Sequence, residues 1–243
     1  MTTRTRIKLR REDGKMKLRR SLALVLAVSL VVLVLPAAVM AASVSAECAY
    51  TDTDVVCEVY VDTASVELRS GGVRLTYTPG DLTVNSAEIN DTVWFFGAGG
   101  SDFATPNAID TSVPGIVDLV VGKLDTNATS AGVTGARVLI GRVTFSRNNA
   151  NLPVVIAAGL ARGGEPFVSF VNATSGDPLD GTTFNTIVAE RCDVNGNGII
   201  NTLDFTILRA MLRNGDDYVV YADCYNDGRL TTLDFTALRA KLR

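Results

Sequence analysis

The sequence contains no histidine. A chain without imidazole cannot run Ser-His-Asp or Cys-His nucleophilic catalysis and cannot offer the usual catalytic zinc ligands. It also has no side chain whose unperturbed pKa lies near neutrality. Aromatic residues are scarce at 7%, with a single tryptophan, Trp94, and a lone tryptophan is more often a core residue than a binding platform. What remains is carboxylate chemistry, hard-cation binding, or no chemistry at all.

The first twenty residues hold nine Lys/Arg against Glu12 and Asp13, and the uncharged run 22–42 follows. A basic region, an apolar stretch and the small residues of 41–46 read as a secretory leader, 1–46, cut after Ala46 with Val44 and Ala46 as the small-residue pair. The alternative is an uncleaved membrane anchor, because about 20 apolar residues can span a bilayer. Glu47 sits where a lipoprotein cysteine at 48 would need a small residue. Without the leader, 14 basic residues face 24 acidic ones, so the net charge is −10 rather than −3. Nucleic acid is excluded as a partner by that sign, and bound cations or a solvated surface are favoured.

Four cysteines suit an oxidising compartment and allow three pairings. The favoured pairs are Cys48 with Cys57, across the turn-like Thr51-Asp52-Thr53-Asp54, and Cys192 with Cys224.

From Val55 to about Asn185 the pattern is period two. Short apolar runs at 57–62, 73–78, 82–84, 92–96, 116–121, 137–145, 154–157 and 167–171 are separated by Gly, Asn, Asp, Ser and Pro. No helical stripe interrupts them, which predicts an all-β sandwich over 47–188. After Arg191 the period changes to helical: Phe205, Leu208 and Leu212 share one face, as do Phe235, Leu238 and Leu242.

That last segment repeats itself. Residues 201–213 and 231–243 are identical at ten of thirteen positions, at an offset of 30. Each copy follows a twelve-residue loop of EF-hand type, 193–204 and 223–234. A hard cation of Ca²⁺ size takes six or seven oxygens, so oxygen side chains at loop positions 1, 3 and 5, a carbonyl at 7 and a carboxylate at 12 would wrap it. The first loop supplies Asp193, Asn195, Asn197, the Ile199 carbonyl, Asp204, and Asn201 through water. The second supplies Asp223, Asp227, the Arg229 carbonyl and Asp234, but Tyr225 stands at position 3. Two calcium ions are therefore expected, the second at a site that departs from the pattern.

Residues 192–243 resemble a dockerin: two calcium loops, each with an exiting helix, Asp rather than Glu at position 12, and no incoming helix. The resemblance implies that loop positions 10 and 11 with a basic residue of the helix bind a cohesin domain. Here these are Thr202, Leu203 and Arg209, and by internal symmetry Thr232, Leu233 and Arg239. Leu203 and Leu233 would serve equally as helix-start packing. The β region, through 61–62, 72–84 and 135–145, is similar to cohesin-like domains and to related carbohydrate-binding sandwiches. The expected architecture is thus mainly β: a cohesin-like sandwich followed by a small all-α dockerin domain, 189–243.

The expected function is non-catalytic assembly of secreted or cell-surface proteins, through cohesin-type or dockerin-type partners. A carbohydrate-binding module would use Tyr77, Trp94, Phe95 and Phe96 on polysaccharide. A small hydrolase would need two nearby carboxylates from Glu58, Glu88, Asp118 and Glu165. None of those four sits in a recognisable motif, and Glu58 reads as an outward strand charge. Asn127-Ala128-Thr129 and Asn172-Ala173-Thr174 match the glycosylation acceptor pattern.

Overall fold

Two sheets pack face to face, and the longer strands contribute their alternate apolar residues to the space between them. In the computed structural model, residues 41–94, 108–123, 132–161 and 169–243 are described. Residues 1–40, which hold most of the expected leader, lie outside the described residues, as do Phe95, Phe96, Glu165 and the 127–129 acceptor. The strands are β1 Ser43–Tyr50, β2 Asp54–Asp62, β3 Leu68–Tyr77, β4 Leu82–Ile89, β5 Ala108–Asp110, β6 Ile116–Gly122, β7 Val138–Arg147, β8 Ile156–Leu160, β9 Val171–Asn172 and β10 Thr183–Glu190. Two helices follow, α1 Thr202–Asn214 and α2 Thr232–Lys241. Among the described residues no helix is long and apolar enough to cross a membrane.

Sheet A runs β10-β1-β2-β7-β4 and sheet B runs β5-β6-β3-β8, with β9 pairing β3. All neighbours are antiparallel except β1 and β10, which pair in parallel from Ser43 opposite Thr183 to Tyr50 opposite Glu190. The core collects Val55, Cys57, Val59 and Val61 from β2 with Ile140, Val143 and Phe145 from β7. Val73 and Leu75 of β3 and Val117, Leu119 and Val121 of β6 meet them from sheet B. Tyr77 meets Phe145 edge-on across this space, centroids 5.1 Å apart.

Cys48 and Cys57 are directly opposite in the β1–β2 register and form a disulfide, and Cys192 is bonded to Cys224. The hairpin between the first pair is closed by Thr51, whose Oγ1 donates to Asp54 Oδ1 and accepts from the Asp54 amide.

Three strands, β1, β5 and β10, are absent from the sequence reading. The first bears on the expected leader cut: Val44 and Ala46 are buried in β1, so cleavage after Ala46 would strip core residues from the sheet. The all-β part runs on to Glu190, past the expected limit at 188. Residues 92–94 are not a strand, because the amides of Val93 and Trp94 turn back to donate to Asn90 O.

Candidate calcium loops and docking surface

Each helix begins inside its loop, two residues before the carboxylate that closes it. Asn201 and Thr231 are the N-caps, accepting from the amides of Leu203 and Leu233. Asp204 and Asp234 stand at the third helical position and return the bond to the cap amides, completing two capping boxes. The carboxylate at loop position 12 is therefore also a helix-capping group.

The two loops share one hydrogen-bond pattern. Asp193 accepts from the amides of Asn197 and Gly198 at 3.1 and 2.6 Å, and Asp223 from those of Asp227 and Gly228 at 3.2 and 2.8 Å. Asp204 accepts from Asn195 N and Asn201 N, and Asp234 from Tyr225 N and Thr231 N. Gly198 and Gly228 hold the left-handed turn at position 6, with φ of 82° and 78°. Position 4 is also left-handed, and Gly196 is matched there by Asn226, one of the few non-glycine types that tolerates it.

Asp193, Asp204, Asp223 and Asp234 are each at most 1% exposed. Among the described residues no Lys or Arg forms a salt bridge to any of them. Four buried carboxylates without a counter-ion are costly to leave as they stand. Burial raises the Asp234 carboxyl above its usual range; the backbone donors from Tyr225 and Thr231 oppose this, and the neighbouring Asp223 carboxylate adds to it. In the first loop the buried Nδ2 of Asn195, at position 3, has no partner. Among the described residues no three Cys, Asp or Glu side chains converge, so each loop must complete an oxygen shell with amide and carbonyl groups. The donor set fits calcium on those terms, with Asp193, Asn195, Asn197, Ile199, Asn201 and Asp204 in the first loop. The second loop would offer Asp223, Asp234 and the Arg229 carbonyl; its third carboxylate, Asp227, is not drawn into one cluster with the other two, and the Tyr225 side chain at position 3 is 58% exposed.

Behind the loops the helices pack on one another through Phe205 and Phe235, with Leu208 and Leu238 fully buried. On the outside, Thr202, Arg209, Thr232 and Arg239 are exposed. Leu203 and Leu233 are 52% and 46% exposed, so neither is absorbed by helix-start packing.

The segment joining the repeats carries a feature that sequence reasoning missed. Val220 is buried against Ala49 of β1 and Val56 of β2, flanked by Tyr218 and Tyr221. The Arg137 guanidinium forks Glu47, donates to Tyr218 O at 2.8 Å and stacks 3.7 Å above the Tyr60 ring. Arg191 N donates to Tyr50 O, and Lys241 bonds Glu190 and the Arg191 carbonyl. A cleft of about 360 Å³ lies beside this contact, between Glu88 and Arg142 of sheet A and Asp227 of the second loop. The only sequence signal was the apolar run Tyr218-Val219-Val220-Tyr221 between two polar loops.

This covering changes the reading of Glu58. It points outward as expected but is buried, accepting from Tyr60 Oη at 2.5 Å with Arg142 Nε at 3.7 Å. Asp118 is buried in a bidentate pair with Arg74, both bonds 2.8 Å. Glu88 is exposed beside Arg142 in the β4–β7 register. Trp94 is fully buried, its Nε1 donating to Leu139 O at 3.0 Å, so it offers no face to a sugar. The Asn172 side chain caps its own turn, accepting from Thr174 N and Ser175 N.

Residues 187–243 match the family model of the dockerin type I domain. No curated protein matches the chain. Solved structures similar to it include the sixth cohesin of scaffoldin B from Acetivibrio cellulolyticus, in complex with a dockerin, at 12% identity and a TM-score of 0.43. That match covers 61% of this chain and 98% of the other. The seventh ScaB type I cohesin from Pseudobacteroides cellulosolvens matches at 14% identity over 61% of this chain and 92% of its own, TM-score 0.42. A cohesin module from a Clostridium perfringens family 33 glycoside hydrolase matches at 9% identity over 60% and 98%, TM-score 0.42.

Proposed function

We propose that this chain is an exported, non-catalytic assembly protein whose C-terminal domain binds calcium and docks onto a cohesin-type domain of another protein. The observation that carries the reading is the duplicated pair of buried carboxylates, Asp193 with Asp204 and Asp223 with Asp234, each pair bracketing a loop that runs into a helix presenting Thr, Leu and Arg to solvent. Calcium would neutralise charges that are costly when buried, and so hold helix starts and docking residues in place. Thr202, Leu203 and Arg209 form one docking face, and Thr232, Leu233 and Arg239 its symmetric counterpart. The setting is an extracellular or cell-surface system of polysaccharide breakdown. A non-catalytic role is supported by the engagement of Glu58 with Tyr60 and of Asp118 with Arg74, which leaves neither carboxylate free for acid-base work.

The test is sedimentation velocity of the chain from Ala41 in calcium and in excess EDTA, with far-ultraviolet circular dichroism on the same samples and a panel of cohesin domains added. Calcium-dependent gain of helicity with complex formation is expected. Calcium-dependent self-association would make the sandwich itself the partner of a neighbour's C-terminal domain. No response to calcium would overturn the reading.

A further inference from the structure

The second loop has a side-chain contact from outside the loop that the first lacks. Tyr218 Oη donates to Asp223 Oδ2 at 3.0 Å. The residue at the same repeat position before the first loop is Val188, within β10, which has no such group to offer Asp193. The hydroxyl lies on the same carboxylate oxygen as the Gly228 amide, while Asp227 N holds the other oxygen. The first-position ligand is thus fixed from three directions in the loop that lacks an oxygen ligand at position 3.

Tyr218 is itself held by the sandwich. Its carbonyl accepts from Arg137, which is anchored by Glu47 of β1, and its neighbour Val220 is 1% exposed over Ala49 and Val56. A continuous set of contacts therefore runs from the outer face of sheet A to a calcium ligand. We propose that Tyr218 is a positioning residue for the second calcium loop, and that through it calcium binding and the docking of residues 218–221 onto sheet A strengthen each other. This rests on the calcium reading above. Linkage makes the effect reciprocal: whatever loosens the docked segment weakens calcium at Asp223, and calcium at Asp223 tightens the two domains into one body. The first loop has no hydroxyl donor at Asp193; it meets the docked segment one residue earlier, where Cys192 N donates to Tyr221 O at 2.8 Å, so it should feel the loss of the Tyr218 hydroxyl least.

Calorimetric titration with calcium chloride separates the two loops when one is disabled at a time, by Asp193→Ala or by Asp223→Ala in the full chain. Into each background goes Tyr218→Phe, which keeps the ring and removes the hydroxyl, or Ala49→Leu, which crowds Val220 from β1 without adding a charge. In the Asp193→Ala background both changes are expected to weaken binding about five-fold or more. In the Asp223→Ala background Tyr218→Phe should leave it within about two-fold, and Ala49→Leu should weaken it less than it weakens the second loop, because a general loss of packing would weaken both loops alike. Equal weakening in the two backgrounds, or no weakening of the second loop, would overturn the coupling while leaving calcium binding intact. A parent chain that takes up no calcium would overturn the functional reading and this proposal with it.

Discussion

The rings of Phe205 and Phe235 lie with centroids 3.9 Å apart and planes tilted by 33°, at equivalent positions of the two repeats. Each ring starts one residue after a carboxylate that caps its helix, so the contact joins both loop-helix units at their most charged point. Phe235→Ala should lower stability by about 2–4 kcal/mol, the range for losing a large core ring that is partly exposed. Because the ring supports both units, calcium affinity should fall at both loops rather than at the nearer one. Thermal melting and calcium titration of the same variant measure the two effects.

Asp193→Ala with Asp204→Ala removes both buried carboxylates of the first loop and the capping partner of Asn201. Bound calcium should fall from two ions to one, and the helical signal of α1 should fall with it. Unchanged stoichiometry by equilibrium dialysis would show that this loop is not a calcium site.

Leu203→Asp with Leu233→Asp tests the docking face. Both side chains are about half exposed, so stability should change by no more than about 0.5 kcal/mol per site. Capture of a cohesin domain should instead weaken by about tenfold or more, since a buried charge replaces an apolar anchor in the complex. Surface plasmon resonance in calcium reads the affinity, and the unchanged melting point shows that the fold is intact.

The calcium loops were legible because their information is local: twelve consecutive residues carry the spacing, and the 30-residue offset repeats it. The period-two strands were legible for the same reason. What escaped depends on distant partners. β10 is a strand because Thr183–Glu190 finds the free edge of β1, and nothing in its own polar alternation fixes a parallel partner. Glu58 alternates with valines and so reads as a solvated outer charge. The outward direction is right, but Tyr218 and Val220 come from the far end of the chain to cover that face. Arg137 bonds residues 90 and 81 positions away, a juxtaposition that no local pattern encodes. The small residues at 44 and 46 carry two local readings at once: they suit a cleavage site, and they suit equally the inner face of β1 under a packed sheet.

Removing the disulfide between Cys192 and Cys224 by Cys192→Ser with Cys224→Ser opens a loop of 32 residues' separation. The chain-entropy relation puts the loss near 3.7 kcal/mol, and the shorter Cys48–Cys57 clip near 2.7 kcal/mol. The first pair ties the start of one calcium loop to the start of the other, so its removal should also lower calcium affinity, whereas removing the Cys48–Cys57 clip should not. Denaturant unfolding in calcium and in EDTA separates these outcomes.

Alkaline titration probes the covered face of sheet A. Burial raises the phenols of Tyr60, Tyr218 and Tyr221 above the ordinary tyrosine value of 10.0, and Glu58 adds to the shift for the first two, as Glu47 does for the third. A phenol whose folded pKa is raised contributes stability that is fully present below the unfolded value and is lost as pH rises toward and through the folded one. The unfolded chain sheds these protons first, so stability should decline from about pH 10 upward. Phenolate absorbance from these three residues should appear together with loss of the circular dichroism signal. Tyr218→Phe removes one of the three and should make the decline shallower. If that phenolate absorbance instead rises near pH 10 in a chain that is still folded, residues 218–221 do not cover sheet A in solution.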